Sequence, residues 1–449
     1  ATNNNLVSNT LSVTYDNTSP SVVVSTTATS PTSVTPIPVT FTFSEAVTGF
    51  VLGDITVTNG TAGNFVAVST TVYTASITPT ATGTVTVSVI AGVAQDAATN
   101  NNLASNVLSV NFDNSRPTVV VSSTAVSPTS VSPIPVTITF NKAVTGFILG
   151  DITVTNGTAG TFTAVSSTVY TVNVTPTANG VVSVSVAAGV AQDALANTNL
   201  ASNTLSLTFD NTRPTVVVST TATSPTLITP IPVTFTFNEA VTGFIVTDIT
   251  ATNGTVGNFV AVSPTVYTAS VTPTANGAVT VSVAAGVALD LASNTNLVSN
   301  TLSVTYDNAA PTVAITSTAA NTTAVSPIPV TFTFNETVTG FVVGDITVAN
   351  GTAGNFVAVS GTVYTASITP TTNGIVSVSV AAGVAQDVAG NNNLVSNTLT
   401  RTFDNTRPTV VVSTSATSST SVTPIPVTFT FSETVTGFIV TDITVTNGT

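Results

Sequence analysis

The chain has no cysteine, histidine, methionine or tryptophan, and sets only 5 Lys and Arg against 18 Asp and Glu in 449 residues. Each absence removes a class of chemistry. Without cysteine or histidine there is no thiol nucleophile, imidazole base, zinc finger, haem ligand or disulfide framework. A net charge of −13 with 5 basic side chains leaves nothing to neutralise a run of phosphates, which argues against nucleic acid as a partner. No apolar run reaches the roughly 18 residues of a membrane span. The lone lysine, Lys142, precludes a Lys–Asn isopeptide staple repeated along the chain. Charged residues make up 5% of the chain, against roughly 25% in an ordinary domain. Yet 42% of residues are hydrophobic, so the composition is the reverse of a disordered chain and supplies a core.

What is present is a repeat. Asp-Asn preceding a proline occurs at Asp16, Asp113, Asp210, Asp307 and Asp404, and Pro-Ile-Pro starts at Pro36, Pro133, Pro230, Pro327 and Pro424, always 97 residues apart. The expected organisation is the end of one repeat (its last strand) over 1–16, complete repeats over 17–113, 114–210, 211–307 and 308–404, and the first three strands of another over 405–449. Such edges read as a window on a longer array.

Within a repeat the period is two. Val136, Ile138 and Phe140 alternate with Thr137 and Thr139; Tyr170, Val172 and Val174 alternate with Thr171 and Asn173; Val182, Val184 and Val186 alternate with serines; Leu205, Leu207 and Phe209 complete the set. Apolar on one face and hydroxyl on the other is the signature of half-buried antiparallel strands. With Thr118–Ser122, Asp151–Thr155 and Thr161–Val165 this predicts about seven strands per repeat, separated by Asn156-Gly157 and Asn179-Gly180 turns. Pro133 and Pro135 are expected to keep the approach to the second strand out of a central ladder position. Phe50, Phe65 and Tyr73 read as core aromatics. Asn-Gly-Thr at Asn59, Asn156, Asn253, Asn350 and Asn447 matches a glycan acceptor, but a turn is the favoured reading. The fold class is all-β: a tandem array of seven-stranded immunoglobulin-like sandwiches without the antibody cysteine pair or core tryptophan.

The strings Phe-Asn-Glu-Ala-Val-Thr-Gly-Phe (Phe237–Phe244), Asp248-Ile249-Thr250, Asn253-Gly254-Thr255 and Ala284-Ala285-Gly286-Val287-Ala288 resemble the tandem bacterial Ig-like repeats of giant cell-surface adhesins. A similar Thr/Val/Asn-rich style occurs in the large mobile adhesins of gliding bacteria. The resemblance implies an extracellular, non-enzymatic stalk that projects an adhesive tip for attachment or gliding. Its partners would be the neighbouring repeats and an external surface or polysaccharide reached by regions outside this segment. The alternative is that the repeats themselves bind carbohydrate or another surface, in the manner of a biofilm matrix or ice adhesin. A paired-carboxylate glycosidase repeated in every copy is the least supported class.

All 18 acids fall in four columns. The linker column is Asp16, Asp113, Asp210, Asp307 and Asp404. The second is Glu45, Glu239, Glu336 and Glu433, with Lys142 as its exception. The third is Asp54, Asp151, Asp248, Asp345 and Asp442; the fourth is Asp96, Asp193, Asp290 and Asp387. Strand alternation sends the linker, the loop after the second strand, the start of the third strand and the loop before the seventh to one pole. Oxygen ligands without His or Cys select a hard ion, so a structural Ca²⁺ at the junctions is one expectation, with Asn211, Asn294 and Asn296 adding carbonyl oxygens. Asx-turns are the other, and Arg116, Arg213 and Arg407 could pair with the acids instead.

Overall fold

The computed structural model describes residues 4–449, and each complete repeat is a two-sheet sandwich. In the first, β1 (Val22–Ser25), β2 (Ile37–Phe43), β5 (Val72–Pro79) and β4 (Gly60–Ala67) form one sheet in the order β1-β2-β5-β4. The second sheet is β3 (Ile55–Thr58), β6 (Gly83–Val89) and β7 (Leu108–Phe112), in the order β3-β6-β7. All these pairs are antiparallel, and the register places Val24 opposite Phe41 and Phe41 opposite Tyr73. The expected seven strands recur in all four complete repeats.

The period of two is the reason for the core. β2 reads buried at Ile37, Val39, Phe41 and Phe43, while Pro38, Thr40 and Thr42 face outward or sideways. β6 supplies Val85, Val87 and Val89 from the facing sheet. Each repeat thus carries its own core, and Phe41, Phe235 and Phe332 are all 0% exposed. The expected core aromatics pack there: Phe50 lies edge-on to Tyr73 at 5.2 Å, Phe65 stacks on Tyr73 at 5.7 Å, and the Tyr73 hydroxyl donates to Val47 O at 3.1 Å. In 308–404, Arg401 takes the inward position held elsewhere by Val110, Leu207 and Val304. Its guanidinium donates to the carbonyls of Ser317, Ala319 and Thr400, so the half-buried charge is wrapped in backbone oxygens.

Three expectations are corrected. Pro135 and its counterparts lie inside the central strand: Pro38 pairs with Ser76 and Pro135 with Asn173. This is tolerated because Pro135 falls one residue beyond the last rung shared with the first strand, Ser123 opposite Val136. Residues 4–16 form no strand, and their Leu11, Val13 and Tyr15 are exposed. In 405–449 the strands Val410–Thr414 and Val427–Phe431 form and pair with each other, and the third expected strand does not form.

The Asn-Gly positions are turns. Asn59 has φ of 53°, its Nδ2 donates to Ala81 O at 2.9 Å, and its Oδ1 accepts from Thr80 and Ala81. Asparagine is suited to that left-handed conformation, and Gly60 follows because a Cβ there would press within 3.1 Å of Ile77 and the Thr78 carbonyl.

Candidate metal centre

Three loops meet at the pole where each repeat begins: the linker with Asp16, the β2–β3 loop with Glu45, and the β6–β7 loop with Asp96. Carboxylate oxygens of these three residues lie within 4.8 Å of one another, as do those of Asp307, Glu336 and Asp387. The first group lines an open concavity of about 390 Å³ together with Thr14 and Ala46.

The β6–β7 loop is built around its aspartate. Asp96 is 6% exposed, and its Oδ1 accepts from the amides of Ala98 (2.8 Å) and Asn100 (2.9 Å). Asn100 Nδ2 donates both to Asp96 Oδ2 (2.9 Å) and to the Asp16 carbonyl (3.2 Å), which ties the loop to the linker. The same tie joins Asn197 to Asp193 and Asp113 O, Asn294 to Asp290 and Asp210 O, and Asn391 to Asp387 and Asp307 O, at 2.9–3.1 Å. The Asn100 hydrogen bond outweighs burial and holds the Asp96 carboxyl below its ordinary value. The glutamates go the other way. Burial, followed by the charges of Asp16 and Asp96, raises Glu45; burial, followed by Asp387 and Asp307, raises Glu336. An anionic glutamate added to two anionic aspartates is disfavoured unless positive charge joins them.

The Glu column fails once, at Lys142, and the structure shows what replaces it. Lys142 Nζ donates to Asp113 Oδ2 at 2.9 Å, Ser115 O at 2.8 Å and Ser115 Oγ at 2.6 Å, and reaches Asp193 Oδ2 at 3.5 Å. The contacts with Asp113 and Asp193 are salt bridges. The hydroxyl of Ser115, which also donates to Asp113, and then Lys142 depress the Asp113 carboxyl to about 2. Lys142 is raised: burial opposes its charge, and the contacts with Asp113 and Asp193 outweigh burial.

The structure therefore brings three of the four acidic columns to one place, not four. Asp54, Asp248 and Asp345 are spent on their own backbone. The Oδ2 of Asp54, which ends the 3-10 turn Leu52–Asp54, accepts from Val51 N at 2.7 Å; Asp248 and Asp345 accept likewise from Ile245 N and Val342 N at 2.8 Å. This closes a tight turn before the third strand, the Asx-type role. Asp210 and Asp290 are joined through Asn294, and Glu239 lies in the loop after Ile231–Phe237. In the last repeat, Glu433 Oε1 is buried without a hydrogen-bond partner among the described residues.

The expected asparagine ligands fall elsewhere. Asn296 is 0% exposed; its Oδ1 accepts from Val287 N (2.9 Å) and Ala288 N (2.8 Å), and its Nδ2 donates to Ala284 O and Leu297 O. Asn294 turns its Nδ2 to Asp290, and the Asn211 amide donates to Asn179 Oδ1. Arg116 pairs with no acid but with the carbonyls of Thr198 and Asn199, both at 2.7 Å. A second asparagine column escapes the sequence reading altogether. Asn106, Asn203, Asn300 and Asn397 each accept from and donate to one residue of the first strand (Val24, Val121, Val218 and Ile315), so that the side-chain amide mimics a neighbouring strand. The recurrent Ser-Asn before the seventh strand is its only trace in the sequence.

The bacterial Ig-like domain profile matches five times in tandem, at residues 16–112, 113–209, 210–306, 307–403 and 404–449. No curated protein matches the sequence. Among solved structures, the chain is similar to the Escherichia coli adhesin FdeC, with 15% identity and a TM-score of 0.31 over 64% of this chain and 96% of that one. It is similar to invasin, a bacterial integrin-binding protein, with 14% identity and a TM-score of 0.33 over 89% and 82% of the two chains. Yersinia pseudotuberculosis InvD matches with 14% identity and a TM-score of 0.28 over 64% and 97%. By the five tandem matches that span it, this chain belongs to the bacterial Ig-like domain family.

Proposed function

We propose that this chain is an extender segment of a bacterial cell-surface adhesin, a series of sandwiches that holds an adhesive region away from the cell for attachment or gliding. The observation that carries this reading is how the two ends of each repeat are tied together. Thr32 N donates to Asn111 O and Asp113 N to Thr32 O, both at 2.9 Å, and Thr32 and Phe112 bridge in parallel. The same pair of bonds recurs at Thr129 with Thr208 and Asp210, and at Thr226 with Thr305 and Asp307; in 308–404 it becomes a short parallel strand, Thr322–Thr323, against Leu399–Phe403. A pull from linker to linker enters through the segment that holds Thr32 and leaves through β7. Because the two run parallel, tension loads their hydrogen bonds in shear, all together, rather than opening them one after another. Thr32, Thr129, Thr226 and Thr323, the central residues of this clamp, are buried, which keeps water from competing for their bonds.

Placement outside the cell is supported by the array form and by outer faces that are polar and uncharged; no helix among the described residues is long and apolar enough to cross a membrane. A second reading, in which the repeats bind carbohydrate, has one observation in its favour. The outward side of β3, β6 and β7 is an uncharged row of Thr56, Thr58, Thr84, Thr86, Ser109 and Asn111. Against it, several of these hydroxyls are already paired across the strands, as Thr84 is with Asn111 at 2.9 Å, and the aromatics that would stack on sugars are in the core. Beads coated with the 449-residue chain and washed over immobilised polysaccharides should not be retained. Retention equal to that of beads carrying the whole adhesin would move the adhesive activity into the repeats.

A further inference from the structure

We propose that Asn179, Asn276 and Asn373 are sites of spontaneous deamidation, and that their conversion to carboxylates releases the linkers that leave repeats 114–210, 211–307 and 308–404. The inference concerns a covalent change in the repeats and does not rest on the extender reading.

Eight Asn-Gly pairs occur in the chain, and the fold places them in two settings. Asn59, Asn156, Asn253 and Asn350 are each the single residue between the third strand and the fourth, so their two neighbours lie in strands of opposite sheets. Each is half-buried, has a left-handed backbone and is bonded to the turn after the fifth strand, as Asn253 Nδ2 is to Ala275 O at 2.9 Å. Closing a ring on one of these side chains would pull on both sheets. Asn179, Asn276 and Asn373 instead end the short turns 177–179, 274–276 and 371–373 between the fifth and sixth strands, and all three are exposed.

The turn also fixes the chemistry. Gly180, Gly277 and Gly374 have φ of 126°, 124° and 131°, a region that only glycine enters freely. The same glycine leaves no Cβ to shield its amide nitrogen. Once solvent base has taken its proton, that nitrogen attacks Cγ of the asparagine. The new N–Cγ bond closes a five-membered succinimide, the Cγ–Nδ2 bond breaks, and Nδ2 takes up a proton and leaves as ammonia. Water then adds to one ring carbonyl and opens it to aspartate or isoaspartate, with no change of oxidation state.

The lost amide is what ties the linker. Asn179 Nδ2 donates to Asp210 Oδ1 at 3.1 Å, and Asn179 Oδ1 accepts from Asn211 N at 2.9 Å. Asn276 holds Asp307 and the Asn308 amide, both at 3.1 Å; Asn373 holds Asp404 at 2.8 Å and the Asn405 amide at 3.1 Å. Deamidation sets a second carboxylate against the linker aspartate, so a hydrogen bond becomes a like-charge contact. Isoaspartate also adds a carbon to the main chain and moves the oxygen that held the linker amide. Repeat 17–113 is the internal comparison. It carries Thr82-Gly83 at this place, where Thr82 Oγ1 donates to Asn114 Oδ1 at 2.7 Å and accepts from Asn114 N at 3.3 Å. A threonine has no amide to lose, so this linker stays tied.

Ageing the intact 449-residue chain in warm, mildly alkaline buffer, followed by ion exchange and peptide mapping by mass spectrometry, tests the sites. Acid should appear at Asn179, Asn276 and Asn373, and also at Asn447, which has the triplet of Asn59 but is exposed and outside any strand. Four added charges take the net charge from −13 to −17. Asn59, Asn156, Asn253 and Asn350 should keep their amides over the same time. Replacing Asn179, Asn276 and Asn373 together by threonine should leave one step of the four, and Thr82→Asn should add a fifth. Acid appearing first at Asn59 and its counterparts, a ladder unmoved by the threonines, or a Thr82→Asn chain that gains no site overturns the assignment. Hydrogen exchange tests the release: after ageing, the Asn211, Asn308 and Asn405 amides should exchange faster, and the Asn114 amide at its original rate. Unchanged exchange at the three modified linkers overturns the release.

Discussion

Replacing Asn199 with alanine should unfold one repeat well below the others. The side chain is 0% exposed and makes four hydrogen bonds: Oδ1 accepts from Val190 N and Ala191 N at 2.9 Å, and Nδ2 donates to Ala187 O and Leu200 O at 2.8 Å. Each such bond is worth about 0.5–1.5 kcal/mol net, so their joint loss costs about 4 kcal/mol. A repeat of 97 residues unfolds with an entropy of about 0.2 kcal/mol/K, which converts that loss to a fall in Tm of about 20 °C. Against a domain stability of about 5–15 kcal/mol the repeat remains folded at room temperature. Differential scanning calorimetry of the whole chain should then show about a quarter of the complete-repeat enthalpy melting early, with the rest in place. Asn199→Asp, which keeps the shape but turns an oxygen toward two carbonyls, should cost at least as much. A shift of less than about 4 °C would refute the role assigned to the amide, and a joint shift of every transition would refute independent repeats.

The other predictions concern the clamp, the core and acid. Thr226→Pro deletes the amide that donates to Thr305 O, so one mechanical unfolding event in four should fall to lower force, whereas Thr226→Ala, which keeps the amide, should not change it. Phe332→Ala empties a fully buried site and should cost about 3–5 kcal/mol in repeat 308–404, measured by calorimetry on the chain. Acid should act in opposite directions on two repeats in calcium-free buffer. The folded Glu336 carboxyl is raised, so it takes up a proton more readily folded than unfolded; repeat 308–404 should gain stability as pH falls through that raised range and lose the gain as pH rises. Asp113, held to about 2, stabilises repeat 114–210 fully above its ordinary value of 3.8, and this contribution should vanish as pH falls toward 2. Melting at several pH values, with Glu336→Gln and Asp113→Asn as controls, reads both signs.

Much of the fold was legible because one signal, alternation of apolar and hydroxyl residues, is both what the eye counts and what the sheets bury. Val136, Ile138 and Phe140 face inward because period two leaves no other arrangement. The convergence of the linker, Glu45 and Asp96 also followed, since antiparallel strands return alternate loops to one pole. What failed were roles decided by local hydrogen bonding. Asp54 sits close in sequence to the pole, yet its carboxylate reaches the Val51 amide three residues back before it can reach a neighbour. Asn296 looks like a ligand because its type is right, and only the packed loop shows that all four of its bonds are taken by backbone. The parallel tie at Thr32 left no periodic trace, because a single residue pair has no period.

The central claim, that this is a series of independent sandwiches built to carry tension, is tested most directly by pulling the intact chain from its two ends. A repeat of 97 residues extends to about 330 Å at about 3.4 Å per residue and spans about 40 Å folded. The force–extension trace should therefore show four equal steps of about 290 Å, one for each complete repeat. A single concerted rupture, or steady lengthening at low force without steps, would contradict it.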